Sequence, residues 1–195
     1  GKYLKDIPEN WKPISILQLM QHSSGIADYR NEKGFDVSAD YRPEQLIETV
    51  AAIPLAFEPG TDVKQSATNF LLLTSIIEKT GKMPYHDFVK KYQIDYLGLK
   101  QTFFGEDLAK VKQEDVTLTG NVHQTFKKNK DYINPSETTT GYVEKEGRLV
   151  AAPAVSPTAL KGFSDIWASA ENVSHWDIGL AGSALIEKPE NRDMV

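Results

Sequence analysis

The chain has 195 residues, a formal net charge of −5, 40% hydrophobic and 25% charged residues, which is ordinary for a folded domain with a core of its own. The acidic balance and a pI near 5.4 exclude a phosphate-backbone partner, so no nucleic acid is expected, and the absence of cysteine excludes disulfides and thiolate metal ligation. No run is long and apolar enough to span a membrane, because residues 70–73 are followed at once by Thr74 and Ser75.

Residues 2–13 read as an extended entry, limited by Pro8 and Pro13, with Trp11 as its apolar anchor. Ser15 and Gln18 have capping-box spacing, and Ile16, Leu17, Leu19 and Met20 supply the buried side of a short helix. His22-Ser23-Ser24-Gly25 ends it. His22 beside Ser23 invites a base-and-nucleophile reading, but neighbouring side chains at a helix end do not converge in that way, and loop-stabilising hydrogen bonds are expected instead. Residues 27–41, rich in Asp and Asn, read as a surface loop.

Pro43 starts a helix with Leu46, Ile47, Val50 and Ile53 at helical spacing, stopped by Pro54. Residues 57–82, FEPGTDVKQSATNFLLLTSIIEKTGK, form the stretch around which the rest is packed. Phe70, Leu71, Leu72, Leu73, Ile76 and Ile77 cover almost the whole circumference of a helix, which must be buried on most sides. Ser66 is its expected N-cap and Gly81 its left-handed C-cap. Pro84 opens a further helix with Phe88, Val89 and Tyr92 inward, and Leu97-Gly98-Leu99 turns the chain.

A brief helix is expected at residues 106–110, then loop to Pro135, with Lys127-Lys128-Asn129-Lys130 solvated. Residues 138–143 and 148–152 flank Glu144-Lys145-Glu146-Gly147 as strands of a hairpin. Ser169 and Asn172 start the last clear helix, with Val173, Trp176 and Leu180 as its apolar face, and Pro189 begins one more. His22, His86, His123 and His175 are scattered without ligand spacing, so neither metal nor cofactor is expected.

F-x-P-G-T, T-N-F-L-L-L and a helix ending E-K-x-G-K, followed by Y-x-x-F-V-K-K and L-G-L-K-x-T-x-F, resemble the middle of the serine β-lactamase and penicillin-binding-protein family. The likeness is to its esterase and D-alanyl-D-alanine carboxypeptidase branch. Residues 14–26, ISILQLMQHSSGI, and 167–176, WASAENVSHW, resemble further family segments in family order. The resemblance implies a mainly α architecture: the helical lobe of the β-lactamase/transpeptidase-like fold with a small β-hairpin. Residues 1–195 would be a single helical subdomain, and the partner would be the α/β lobe of a longer parent protein. It also implies an extracytoplasmic setting, periplasmic or cell-surface, and an acyl-D-Ala peptide, β-lactam or small ester as the parent's substrate. An apolar face left where that lobe docks would let the piece dimerise.

Members of this family work through S-x-x-K, through Y-x-N or S-x-N, and through a strand-borne K-T-G or H-x-G. No serine in the chain has lysine three positions later. Thr61 with Lys64, Thr125 with Lys128 and Thr158 with Lys161 have that spacing by chance, and the nucleophile helix is expected before Gly1. Lys79-Thr80-Gly81 spells the third motif but closes a helix, and a working third motif is expected beyond Val195. The second motif maps by resemblance onto Gln65, Ser66 and Ala67, where Gln65 replaces the family's tyrosine and Ala67 its asparagine. Glutamine does not titrate, and a methyl group neither donates nor accepts. The chain is therefore expected to be inactive alone, either as a fragment of a serine hydrolase or as part of a catalytically silent relative that binds peptidoglycan, peptide or protein.

Overall fold

Ser15 Oγ accepts from the Gln18 amide (3.1 Å) and the Ser15 amide donates to Gln18 Oε1 (2.9 Å), so the expected capping box opens α1 (Ile16–Met20). The computed structural model describes residues 1–108 and 139–192. Ahead of α1 the entry is not fully extended: Glu9–Trp11 makes one 3₁₀ turn that sinks Trp11 into the core. The Trp11 indole is the one buried side-chain donor without a partner among the described residues.

Pro43 is the first residue of α2 (Pro43–Ala51), with Leu46 and Val50 buried one turn apart. The longest helix among the described residues, α3 (Ala67–Gly81), buries Ala67, Leu71 and Leu72 as its apolar run requires, but Thr68, Asn69 and Thr74 are equally buried. Thr74 satisfies its hydroxyl internally by donating to the Leu71 carbonyl (2.8 Å). Gly81 is not the left-handed cap: it is the last helical residue, and Lys82 takes φ 53°. Packing explains the glycine, since a Cβ there would lie 2.9 Å from Phe88 Cδ2. Phe88 belongs to α4 (Tyr85–Val89), tied to α3 by the Tyr85 amide donating to Glu78 Oε1 (3.0 Å).

These helices, with residues 155–165, make one compact unit whose core joins Trp11, Leu19, Ile26, Tyr29, Leu46, Val50, Leu71 and Leu72. Residues 27–41 form the loop their composition predicts, exposed at Asn31, Lys33, Gly34, Asp36, Ser38 and Asp40, but Asp28 and Tyr29 at its start are buried. Tyr29 is 1% exposed and donates its hydroxyl to the Ala159 carbonyl (2.9 Å). The Ser156 amide donates to the Val37 carbonyl (2.8 Å), and the Ser156 and Thr158 hydroxyls both donate to Asp40. Paired in this way, Tyr29 and Ser156 can be buried although each carries a polar group.

The second unit comprises the described parts of residues 90–154 and 166–192. Lys90–Ile94 is a π turn, with the Asp95 amide reaching the Lys90 carbonyl (2.8 Å). The extra residue rephases the chain, so Ile94 is buried at 7% exposure while Tyr92, expected inward, stands 46% exposed. Strand β1 (Thr102–Phe104) leads into α5 (Gly105–Leu108), which begins one residue before the expected 106–110; residues 109 and 110 and the basic run 127–130 lie outside the described residues. The expected hairpin is present in antiparallel register, but its strands are β2 (Tyr142–Lys145) and β3 (Arg148–Ala151), so Glu144 and Lys145, expected in the turn, pair with Leu149 and Arg148. Glu146 (φ 54°) and Gly147 (φ 74°) form its two-residue turn with both φ positive, the twist that suits a hairpin.

A second antiparallel pair joins β1 to β4 (Ile166–Ala168), a pairing between three-residue strands far apart in sequence with no alternation to announce it. Ser169 caps α6 (Ala170–Ala181) by accepting from the Asn172 amide (3.1 Å). Asn172, not Val173, faces inward: its Oδ1 accepts from the Gln101 amide (2.7 Å) and Thr102 Oγ1 (3.1 Å), fixing where β1 starts. The inner face of α6 is thus Asn172, Trp176, Gly179 and Leu180, one residue out of phase with the apolar pattern at Val173, which is 53% exposed. A last turn, α7 (Pro189–Arg192), begins at the expected proline.

Gly162 (φ 76°) seats residues 155–165 on α3, where an added Cβ would lie 2.2 Å from Thr74 Cγ2 and 3.1 Å from the Phe70 carbonyl oxygen. Gly162→Ala combines a left-handed backbone with this clash, so urea denaturation should report a loss of about 2–3 kcal/mol.

Candidate functional site

The candidate site lies at the first turn of α3, where the backbone amides of a helix start have no intrahelical acceptor. Ser66 has the extended backbone of an N-cap (φ −146°, ψ 121°), but its hydroxyl does not cap; it donates instead to the Ala27 carbonyl (3.2 Å). The stabilising charge comes from another segment. Asp28 is buried beside this turn, and the Ala67 backbone amide is one of the groups that stabilise its charged form, which puts a carboxylate near the positive end of a 15-residue helix.

Asp28 is also held by Arg30, whose Nε lies 3.0 Å from both carboxylate oxygens while its Nη2 donates to Oδ2 (2.5 Å). The Arg30 guanidinium stands over the Phe163 ring, 4.3 Å from its centroid. Burial by itself would raise the Asp28 pKa. The side-chain and backbone hydrogen bonds from Arg30 and the amide of Ala67 outweigh it, and hold the carboxyl below its ordinary range.

Around this pair a buried polar network ties residues 22–30 to α3. Thr68 Oγ1 donates to the Ala27 carbonyl (2.7 Å) and accepts from the Tyr29 amide (3.2 Å). Ser24 Oγ accepts from the Ile26 amide (3.1 Å) and donates to Asn69 Oδ1 (2.7 Å). That fixes the Asn69 amide, whose Nδ2 then donates to His22 Nδ1 (3.3 Å), and the Ser66 amide donates to the same nitrogen (3.2 Å). Two donors on Nδ1 place the proton of the neutral imidazole on Nε2. The Gly60 amide donates to the Ser23 carbonyl (2.8 Å) and the Lys64 amide to the His22 carbonyl (3.0 Å), so the P-G-T arm closes the far side of the loop.

The three mapped positions separate within this frame. Gln65 is exposed, Ser66 is buried at 1%, and Ala67 is fully buried at 0%. Ser66, Thr68 and Asn69, which match the family pattern, are the hydrogen-bonding members of the network. His22 and Ser24 take the loop-stabilising role expected of that segment, and His22 sits on Phe70 with ring centroids 5.1 Å apart. Asp28 and Arg30 were not singled out from the sequence. Their signal was a carboxylate and a guanidinium two residues apart just after Ser-Gly-Ile, inside a stretch whose polarity suggested solvent.

The remaining motif echoes are accounted for locally. Thr61 Oγ1 donates to the Glu58 carbonyl (2.8 Å). Thr158 is bound to Asp40, and Lys161 pairs with Glu78 (2.8 Å). Lys79-Thr80-Gly81 occupies the last turn of α3, with Thr80 Oγ1 donating to the Ile76 carbonyl (2.8 Å). Thr125 and His123 lie outside the described residues. Among the described residues no group of three or more His, Cys, Asp or Glu could hold a metal ion.

Two measurements test the network. Asn69→Ala removes a fully buried amide, strands the Ser24 hydroxyl and takes one of two donors from His22 Nδ1, so it should cost about 2–3 kcal/mol, and a double-mutant cycle with Ser24→Ala should show a coupling of about 1 kcal/mol or more. Because the folded-state pKa of Asp28 is depressed, its contribution is present above the unfolded value near 3.9 and is lost as pH falls through the folded value. Asp28→Asn should therefore lower stability at pH 7 by about 1–3 kcal/mol and flatten the acid limb of a plot of stability against pH.

The β-lactamase family model matches residues 1–194. Among solved structures, a D-stereospecific amidohydrolase from Streptomyces sp. superimposes with a TM-score of 0.73 at 19% identity, over 99% of this chain and 53% of its own. The octameric penicillin-binding protein homologue from Pyrococcus abyssi gives a TM-score of 0.68 at 22% identity, over 98% and 40%. A D-amino acid amidase from Ochrobactrum anthropi SV3 gives 0.68 at 15%, over 92% and 45%. The chain thus spans about half the length of these structures or less, and no relative was found among curated protein sequences. Its mostly helical build with two small antiparallel sheets is that of the β-lactamase and penicillin-binding-protein fold, and the chain belongs to the β-lactamase family.

Proposed function

We propose that this chain is the helical part of a β-lactamase-related serine hydrolase acting on acyl-D-Ala peptides, β-lactams or small esters, and that it does not catalyse turnover by itself. The observation carrying this reading is the second-motif segment: its hydrogen-bonding residues Ser66, Thr68 and Asn69 are all engaged, while its chemical positions hold Gln65 and Ala67. A glutamine amide cannot pass a proton, and Ala67 offers a substrate nothing but a buried methyl group. Together with the lack of any S-x-x-K among the 195 residues, this leaves no activated nucleophile. The D-stereospecific amidohydrolase and D-amino acid amidase neighbours favour a D-configured amide substrate for the whole protein.

The partner in this reading is an α/β lobe that supplies the nucleophile and the oxyanion donors. An apolar groove of about 470 Å³ supports it, running between the entry residues Leu4, Ile7 and Trp11 and the helices α1 and α3. Beside it Ile16, Leu17 and Met20 are more than a third exposed. A face of this kind needs a cover, and self-association through it is the alternative when the lobe is absent. No helix of the described residues is long and apolar enough to cross a membrane, and the family setting assigned is extracytoplasmic.

One observation favours the second reading, a silent relative that binds peptidoglycan, peptide or protein. Ala67 is fully enclosed, so a carboxamide at that position has no open space to occupy, and Ala67→Asn should cost about 1–3 kcal/mol in overpacking. The purified chain should hydrolyse neither a chromogenic cephalosporin nor a p-nitrophenyl ester above the buffer rate, and measurable turnover would refute the assignment. Covalent labelling of the longer protein by a fluorescent penicillin separates the readings: labelling supports the hydrolase, and its absence the silent relative.

A further inference from the structure

We propose that His22 is a proton-operated latch: its neutral imidazole holds the start of α3 to the residue 22–30 loop, and acidification releases the segment Gln65–Ser66 by reversing the hydrogen-bonding role of Nδ1. The latch lies at the candidate site but does not depend on the hydrolase reading, since it concerns how that segment is held and not what it binds.

Nδ1 accepts from two donors at once, the Ser66 amide (3.2 Å) and Asn69 Nδ2 (3.3 Å). Neither donor can turn into an acceptor. The Ser66 group is a backbone N–H, and Asn69 is held in its orientation by Ser24 Oγ donating to its Oδ1 (2.7 Å). A proton on Nδ1 would face two N–H groups, so the imidazolium cannot keep the place of the imidazole. The ring is half-buried against Phe70, and the His22 backbone sits in the left-handed region at φ 56°.

The groups touching the ring from α3, Ser66, Asn69 and Phe70, carry no charge. Two charged groups act on it from its own loop in opposite senses: Asp28 favours the imidazolium, and Arg30, bound to Asp28, opposes it. Lys64, whose amide donates to the His22 carbonyl (3.0 Å), brings a further cation on the P-G-T arm. Burial is the largest influence and favours the neutral ring, so the His22 pKa lies below its ordinary value. The sign follows: near neutral pH the latch is closed, and its contribution is lost progressively as pH falls below the unfolded value near 6.5. Closed and open states differ at Gln65 and Ser66, the second-motif positions ahead of α3.

Nuclear magnetic resonance on the whole chain tests this without a substitution. At pH 7.5 the His22 Nδ1 shift should be that of an unprotonated, accepting nitrogen. As the ring titrates below pH 6.5, exchange protection of the Ser66 amide, corrected for intrinsic pH dependence, should fall about tenfold or more with the same midpoint. In His22→Asn, a residue that tolerates positive φ, the protection should show no such midpoint. An Nδ1-protonated ring at neutral pH, or Ser66 protection unchanged through the titration of His22, overturns the proposal. Activity of the longer protein does not enter these readouts, so failure of the hydrolase assignment leaves them intact.

Discussion

The structure of the first unit depends on how the open end of α3 is satisfied. A 15-residue helix begins inside the core, at Ser66 and Ala67 with at most 1% exposure, where water cannot supply the acceptors that its first amides need. The chain meets this with a separate segment: the Asp28 carboxylate is stabilised by the Ala67 amide, His22 takes the Ser66 amide, and the Ala27 carbonyl takes the hydroxyls of Ser66 and Thr68. Each group in this exchange is useful only because its partner is buried with it. The loop and the helix start are therefore formed together, since either alone would leave several polar groups stranded at about 1–3 kcal/mol each.

This coupling explains why the site is built of polar residues at zero or near-zero exposure while the apolar face of α3 does the ordinary work of burial. Leu71 and Leu72 hold α3 in the core without specifying its rotation or register. Thr68 and Asn69 make directional contacts to Tyr29, Ala27, Ser24 and His22 that fit a single register. Arg30 extends the same arrangement to Phe163, so residues 155–165 are aligned by the pair that anchors the helix.

Much of the fold was legible in the sequence where a local rule decides the outcome. The Ser15–Gln18 box, Pro43 at a helix start, the Ser169 cap and the Glu146-Gly147 turn are each set by a few neighbouring residues. Legibility failed where a distant partner decides. Most of residues 31–40 is the exposed loop that its polarity announces, but Asp28 and Tyr29 are buried, and nothing nearby in the sequence says that α3 and Ala159 will meet them. Tyr92 was misplaced because a π turn inserts one residue into an otherwise regular phase, and Val173 because Asn172 outcompetes it for the inner face by accepting from Gln101 and Thr102. Gly81 was assigned to conformation when its reason is the closeness of Phe88.

The candidate site was legible to a different depth. A family pattern such as Y-S-N-T-N mixes residues that build the scaffold with residues that do chemistry, and a sequence match cannot tell them apart. Here they separate in space: Ser66, Thr68 and Asn69 spend their polar groups on the loop, whereas Gln65 faces solvent and Ala67 is sealed in the core. The scaffold members are constrained by mutual burial, since losing one strands its partners, and that constraint acts whether or not any substrate is turned over. The chemical members answer only to the reaction. On the proposed mapping of the second motif, a chain can keep the whole network, and with it the fold, after the phenol and carboxamide have been replaced. Family membership rests on a match over residues 1–194, and activity has to be argued from the proposed chemical positions.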